Sequence, residues 1–461
     1  MSAVALLPEL PRSPPMLDSS RPFGLLADFR ADPLAVFMDA WQTCGDFAQV
    51  RVAWNHLLLL SSPRHARHVL ITNAANYEKG TRGQVLLRKI LGDGLLTAEG
   101  SVWRKHRRIA NPAFRRKMIA GFAAAMAAAT EELAEEIIGG EFDVADAMNR
   151  LTLRIAGRCF FGQDISEESS EIGSALSAVL DEFTRLVAAP FVGFEHIPTP
   201  RNLRYRRAVL ALDAAAREII AARREAMERG EDGGNDLLSM LLEARDPETG
   251  EGLSDQALRD EVLTMLLAGH ETTANSLAWT LILLSRHPDV ARKVEAEVDA
   301  VIGDGPVGFG EAMKLDWTGK VIKESMRLYP PAWVISRRAV EDDVIDGFPV
   351  PAGAFIFVSP YLIHRHPRYW ENPEGFDPGR FDPERSVCPD GSPRPKDAYL
   401  PFGAGQRKCI GSHFAELEAR IVLGVLMRRL RMSLLPGEVA QPAASITLRP
   451  EGGTRMVAVG R

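Results

Sequence analysis

The chain has 461 residues, 46% hydrophobic and 25% charged, the balance of an ordinary globular protein, which excludes disordered and fibrous classes. Its 55 Lys and Arg against 61 Asp and Glu leave a net charge of -6, so nothing draws it globally to nucleic acid. No apolar run approaches the roughly 18 residues of a membrane span, the start MSAVALLPELPRSPPML lacks a charged n-region, and the four cysteines at 44, 159, 388 and 409 form no CxxC pair. These features predict a cytoplasmic protein with no membrane anchor, no disulfide framework and no zinc site, preceded by a Pro-rich, poorly ordered lead over 1–20.

In chain order, alternating apolar residues predict strands at 47–52 and 56–61, followed by a helix from Pro63. The Gly-containing stretch 79–100 reads as an irregular, mobile loop. Apolar residues spaced three and four apart predict helices at 101–111, 115–137, 144–161, 171–189 and 203–229, with surface turns at 229–234 and 245–253. From Ser254, a good N-cap, to His287 before Pro288 the pattern is one long helix, apolar on most sides between Leu263 and Leu284 and therefore buried. The class is mainly α with a minor β region.

A polar cluster, Ala268-Gly269-His270-Glu271-Thr272-Thr273, interrupts that helix. A mid-helix glycine costs about 1 kcal/mol against alanine, and unpartnered buried polar groups cost roughly 1 to 3 kcal/mol each. Two readings stand side by side: a kink whose hydroxyls bond back to the preceding turn, or a carboxylate and a hydroxyl offered to a small reactant in a groove opened by Ala268 and Gly269. The second constellation runs from Pro401 through Phe402-Gly403-Ala404-Gly405-Gln406-Arg407-Lys408-Cys409-Ile410-Gly411 into a helix from about Ser412. Arg407, Lys408 and the helix N-terminus favour a thiolate at Cys409, and a thiolate is a good iron ligand. The alternative is an inert buried cysteine.

The segment resembles the cytochrome P-450 haem-binding loop, Phe-x-x-Gly-x-Arg-x-Cys-x-Gly, at every fixed position. Glu324-Ser325-Met326-Arg327 is similar to the family's Glu-x-x-Arg helix, Pro378-Gly379-Arg380-Phe381 to its Pro-x-Arg-Phe segment, Ala268 to Thr273 to its central-helix motif, and Trp103 to Arg107 to its Trp-x-x-x-Arg helix. The resemblance covers the chain from about residue 30 to the end. It implies one catalytic domain over 21–461, with haem b (iron protoporphyrin IX) between the central helix and the helix after Cys409, and with Cys409 as the iron ligand. It also implies a buried structural network of Glu324, Arg327 and Arg380. Trp103, Arg107, Arg337 and Arg407 would meet the propionates, with Arg338 competing with Arg337, while Ala268, Phe402 and Gly411 would lie against the cofactor.

The implied activity is a monooxygenase that inserts one oxygen atom of O2 into a hydrophobic small molecule, Thr272 holding the oxygen and Glu271 helping to relay protons. Electrons would come from a separate ferredoxin or flavodoxin-type donor with its reductase, since the chain has no flavin domain or iron–sulfur pattern. Basic residues at 104–108, 115–117, 408, 428, 429 and 431 would form its docking side. A peroxide-driven enzyme and a non-enzymatic haem-thiolate sensor or carrier remain as alternatives. Pocket segments are expected at 79–100, 181–200, Leu266, Leu267, Val334, Ile335 and the turn near Ile446, all largely apolar. A terpenoid or polyketide substrate is favoured over a fatty acid, because Leu57 to Leu60 carry no carboxylate partner. The pairs His65/His68 and His364/His366 read as surface or core residues rather than metal ligands.

Overall fold

Residues 13–165, 171–187, 193–230 and 236–461 are described by a computed structural model of the chain. The early strands form as Phe47–Val52 and Asn55–Leu60, antiparallel with Phe47 opposite Leu60 and Val52 opposite Asn55. Leu57 to Leu60 are all buried, as befits a strand inside a sheet. That strand pairs parallel with Phe355–Val358, which pairs antiparallel with Ile335–Ala339. Tyr77–Glu78 closes one edge and Met16–Leu17 the other. The end of the lead expected to be poorly ordered is thus a sheet edge, tied down by Arg51, which donates to the Asp18 carboxylate at 2.7 Å and the Ser19 carbonyl at 2.8 Å. Residues 1–12 of that lead lie outside the described residues.

The architecture is mainly α. Its axis is the helix Asp255–Arg286, whose 32 residues span roughly 48 Å at 1.5 Å each. The Ser254 hydroxyl caps it, accepting the Ala257 N–H at 3.2 Å. Both flanks of its polar cluster are buried, with helices Val144–Ala156, Pro200–Glu228 and Asp316–Leu328 packed around it. Trp279, with no exposure, stacks on Tyr329 at a centroid distance of 3.8 Å. Among the described residues no helix is long and apolar enough to cross a membrane.

Three expectations change. The stretch 79–100 contains a helix, Arg82–Leu91, because Leu86, Leu87, Ile90 and Leu91 share one apolar face. Gly92 ends it with φ +67° and packs where any Cβ would lie 2.2 Å from the Asp260 carboxyl. The helix expected over 115–137 breaks into Arg116–Ala120 and Ala123–Ile137 at Gly121, and that over 144–161 widens into a π turn from Gly157. Parts of the elements expected at 171–189 and 229–234 lie outside the described residues.

One buried charge network fastens the loop that carries Cys409. The side chains of Glu324 and Arg327 are 0% exposed and joined by two hydrogen bonds of 2.7 and 2.9 Å. Arg327 also donates to the carbonyls of His364, Pro373 and Gly375, and Arg380 to Glu324 at 3.0 Å and to the Asn372 carbonyl at 2.8 Å. The Asp377 N–H completes the set on Glu324 at 2.9 Å. The segment 364–380 is thereby sewn to the helix Asp316–Leu328. The same two elements hold the residues just before the cysteine loop: Tyr399 donates to the Lys323 carbonyl at 2.9 Å and the Leu400 N–H to His364 Nε2 at 2.7 Å. Removing the carboxylate leaves two buried guanidinium groups without their anion, a loss of about 3 to 5 kcal/mol. Glu324→Ala should show this as a lowered midpoint in urea unfolding; an unchanged midpoint contradicts the role given to the network.

Candidate active site

Two glycines shape the loop around Cys409. Gly403 and Gly405 both have φ +68°, and a Cβ at 405 would stand 2.0 Å from the Leu70 carbonyl oxygen, a clash with backbone that only glycine avoids. The Cys409 N–H donates to the Phe402 carbonyl at 2.9 Å, and the helix Ser412–Arg429 begins just beyond. Burial raises the thiol above its ordinary value, while the Gly411 N–H and the charges of Arg107 and Lys408 pull it back toward thiolate. The residue is exposed all the same, so open space borders it. Arg407, expected beside the sulfur, is turned to Glu99, and Arg107 takes its place there.

The central helix has an exposed patch of its own. Leu258 to Leu267 and Thr273 to Leu284 are buried, yet Ala268 is exposed and Gly269 and Thr272 are half-buried. Ala268 and Thr272, four residues apart, share that open face. The helix meets the one after Cys409 where Thr273 lies beside Glu418, and through Phe160, whose ring is 4.9 Å from that of Phe414. Gly269 exists for this junction, since its Cβ would come within 2.5 Å of the Phe160 ring, so it does not open a groove. Glu418 is fully enclosed, and burial holds its carboxyl well above the usual range. The Thr272 hydroxyl donates to the Ala268 carbonyl at 2.8 Å, the back-bonding foreseen for a kink. His270, bonded to the Leu266 carbonyl, is pushed down to about 4 by burial. Glu271 is not on the open face: it is buried and accepts the Thr447 hydroxyl at 2.7 Å.

Beside the gap lies an uneven cluster of charge. Lys79, Arg107, Arg337 and Arg407 act on one another or on a shared neighbour, and Glu99 is the carboxylate among them. Glu99 accepts Arg407 at 2.6 Å and the Lys79 backbone N–H at 3.0 Å. Arg407 also lies 4.1 Å over the Trp103 ring. Arg337 is 7% exposed and donates to the adjacent Ser336 carbonyl at 2.9 Å. Burial, then the charge of Arg407, pushes it down to about 10. Lys79 is pushed down to about 7, by burial first and then by Arg337 and Arg407. Strand alternation settles the neighbouring pair, because Arg338 points outward to Glu78 at 3.0 Å and Arg337 points inward. Positive charge in excess of the one carboxylate, partly enclosed by protein, is costly unless anions join it. Two carboxylates on one rigid group, as in the haem the resemblance implies, fit this cluster, with guanidinium forks and the Trp103 N–H as donors.

The expected pocket is only partly assembled. Leu266, Leu267 and Ile446 line an enclosed space with Leu263, Leu212 and residues of the helices Arg82–Leu91 and Glu171–Val187, and every lining side chain is Leu, Ile or Val. Val334 and Ile335 are not there: they pack in core clusters on the sheet side, Ile335 near Gly403. Segment 181–200 adds nothing to the lining, and residues 188–192 lie outside the described residues.

The basic stretches also divide. Arg108 binds Asp246, Lys105 binds Glu251, and Arg428 and Arg429 bind Glu131, which neutralises them. Arg104, Arg115, Lys117 and Lys408 are exposed and meet no carboxylate among the described residues. The paired histidines are structural: His65, His68 and His366 bind Asp346, Asp343 and Asp46, and His364 accepts the Leu400 N–H. Sequence reasoning missed Lys79, Glu99, Glu418 and Thr447. Of these, Glu418 sits on the helix face that an apolar pattern would mark as core, while no local signal marks the other three.

The family model described as Cytochrome P450 matches residues 14–454. The chain is 36% identical over 403 residues to cyclooctat-9-en-7-ol 5-monooxygenase of Streptomyces melanosporofaciens, covering 87% of this chain and 85% of that one. It is 32% identical over 415 residues to pentalenene oxygenase of Streptomyces avermitilis, covering 89% and 90%. The crystal structure of the cytochrome P450DA heme domain superposes with a TM-score of 0.87 at 30% identity, over 98% of this chain and 99% of that chain.

The charge cluster carries a pH dependence. Anions joining Lys79 raise it from about 7, so their binding takes up a proton. Affinity is therefore full below about pH 7 and falls as pH rises through the window above it, by up to about tenfold per unit. Haem transfer to a scavenger protein should be faster at pH 9 than at pH 6.5, and Lys79→Met should flatten that difference. An equal pH dependence in the variant contradicts the assignment.

Proposed function

Because the chain belongs to the cytochrome P450 family of haem-containing monooxygenases, we propose that it inserts one oxygen atom of O2 into an apolar polycyclic terpenoid. Its electrons come from a separate ferredoxin or flavodoxin-type donor and its reductase. The observation that carries the reading is the exposed Cys409, acted on by Arg107, which in turn neighbours Arg407 in a cluster where Lys79, Arg337 and Arg407 share the Glu99 carboxylate.

Haem b suits these residues. Cys409 would be its iron ligand, Trp103, Arg107, Arg337 and Arg407, joined by Lys79, would hold its propionates, and Ala268, Phe402 and Gly411 would lie against it. Once bound, the haem supplies the redox chemistry that activates O2. The protein contributes the rest. The Gly411 N–H and the charges of Arg107 and Lys408 favour the thiolate against the cost of burial. Thr272, whose proton is bonded to the Ala268 carbonyl, offers its oxygen as an acceptor at the gap and donates when that bond is exchanged. Glu271 is the proton carrier, which acts once its carboxylate leaves Thr447.

The substrate class rests on the aliphatic lining and on the relatives. The enclosed space beside Leu266, Leu267 and Ile446 holds only about 10 Å³, so a substrate enters as these side chains part, and it then meets Leu, Ile and Val with no partner for a fatty-acid carboxylate. The names of the two Streptomyces relatives, an oxygenase of pentalenene and a monooxygenase of cyclooctat-9-en-7-ol, point to cyclic alkenes and alkenols, which favours a terpenoid over a polyketide. Arg104, Arg115, Lys117 and Lys408 form the docking side for an acidic electron donor.

The test is turnover of a polycyclic terpene with a surrogate ferredoxin and reductase. Wild type should form product in proportion to electrons consumed and stay inactive without the donor. Thr272→Ala should keep haem and bind substrate but lose about tenfold or more in product per electron, with peroxide released instead. Fully coupled turnover in that variant, or turnover without the donor, overturns the reading.

A further inference from the structure

Thr447 lies between the small aliphatic space beside Ile446 and the Glu271 carboxylate of the central helix. It belongs to a hairpin tip: Pro442–Ala444 and Leu448–Pro450 pair antiparallel, and the Ser445 N–H donates to the Thr447 carbonyl at 3.0 Å. The tip is braced by two indole donors, Trp333 to the Ser445 carbonyl at 3.0 Å and Trp279 to the Leu448 carbonyl at 3.3 Å. Ile446, next in the tip, lines the aliphatic pocket. Thr447 itself is 4% exposed and turns the other way, into the protein.

The direction of its bonds follows from donor chemistry. Asn275 Nδ2 is 3.0 Å from the Thr447 oxygen and can only donate to it. The Thr447 proton is thus left to donate to Glu271 Oε1 at 2.7 Å. Glu271 and Asn275 are one turn apart on the same helix face, so the hairpin hydroxyl reads both. Thr272, the next residue, faces the gap instead, about 100° around the helix. A carboxylate held by Thr447 is therefore held off the face where the protons are used.

We propose that Thr447 is a positioning residue that holds the Glu271 carboxylate against the hairpin, and that an occupied pocket pressing on Ile446 releases it toward Thr272. The inference rests on the reading of Glu271 as proton carrier. Released, Glu271 takes a proton from solvent, passes it toward Thr272, and returns ionised to the hairpin; no bond other than those to hydrogen is made or broken. Proton delivery is thereby timed to the presence of substrate.

The test compares Thr447→Val, Thr447→Ser, Glu271→Gln and the double variant Thr447→Val/Glu271→Gln, as haem-loaded full-length proteins turning over one terpene. Thr447→Val should bind substrate within twofold of wild type, judged by the haem spin-state change. It should lose several-fold in product per electron and show a larger solvent deuterium isotope effect, and Thr447→Ser should restore both. In the Glu271→Gln background the Val change should add nothing. If Thr447→Val fails to load haem, Thr447→Cys, a weaker donor of similar size, takes its place. Normal coupling in Thr447→Val while Glu271→Gln is uncoupled overturns this inference alone. Normal coupling in Glu271→Gln overturns the proton-carrier reading beneath it. A change in substrate affinity with an unaltered isotope effect makes Thr447 a structural residue and also overturns the inference.

Discussion

Glu324 and Arg327 have no exposed side-chain surface, and the position of Cys409 depends on them. Their pair, with Arg380, converts a run of irregular backbone from 364 to 380 into a rigid strip by satisfying its carbonyls one after another. A buried ion pair contributes little net stability over an apolar pair, because desolvation cancels much of the attraction. Its value here is specificity, since guanidinium forks aimed at successive carbonyls permit one path of the chain. The strip hands its order to Tyr399 and Leu400, and from there to the glycine-shaped loop.

A second constraint is electrical. Lys79, Arg337 and Arg407 are brought together from separate parts of the chain around the carboxylate of Glu99, with Arg107 next to Arg407. Such an excess favours an anionic group, which would lower the repulsion among these cations on binding. The same charges reach Cys409 through Arg107, which opposes the effect of burial on the thiol. In the proposed reading, anchoring the propionates and stabilising the thiolate would be two uses of one arrangement.

Much of this was legible in the sequence where spacing is rigid. Ser254 as a cap, the apolar run to Leu284 and the loop around Cys409 all depend on local rules that hold in any context. Glu324 and Arg327 lie three apart, and their pairing needed only helix geometry, although their burial needed the family resemblance. What escaped depended on contacts between distant parts of the chain. The helix Arg82–Leu91 was hidden by Gly80 and Gly83, whose turn signal outweighed its apolar face. Nothing local marks Lys79, whose neighbours Arg337 and Arg407 come from a distant strand and from the cysteine loop. Gly269 read as a groove and proved to be clearance for Phe160, and Glu271 faces a hairpin 176 residues away rather than the gap.

The central claim is that, of the four cysteines at 44, 159, 388 and 409, Cys409 alone binds the iron through sulfur. It is tested most directly by the absorption spectrum of the reduced, carbon monoxide-bound protein, recorded for wild type and for four single Cys→Ser variants. The account predicts a thiolate-type Soret band in wild type and in Cys44→Ser, Cys159→Ser and Cys388→Ser, and its loss in Cys409→Ser. A thiolate-type band that survives in Cys409→Ser would contradict it.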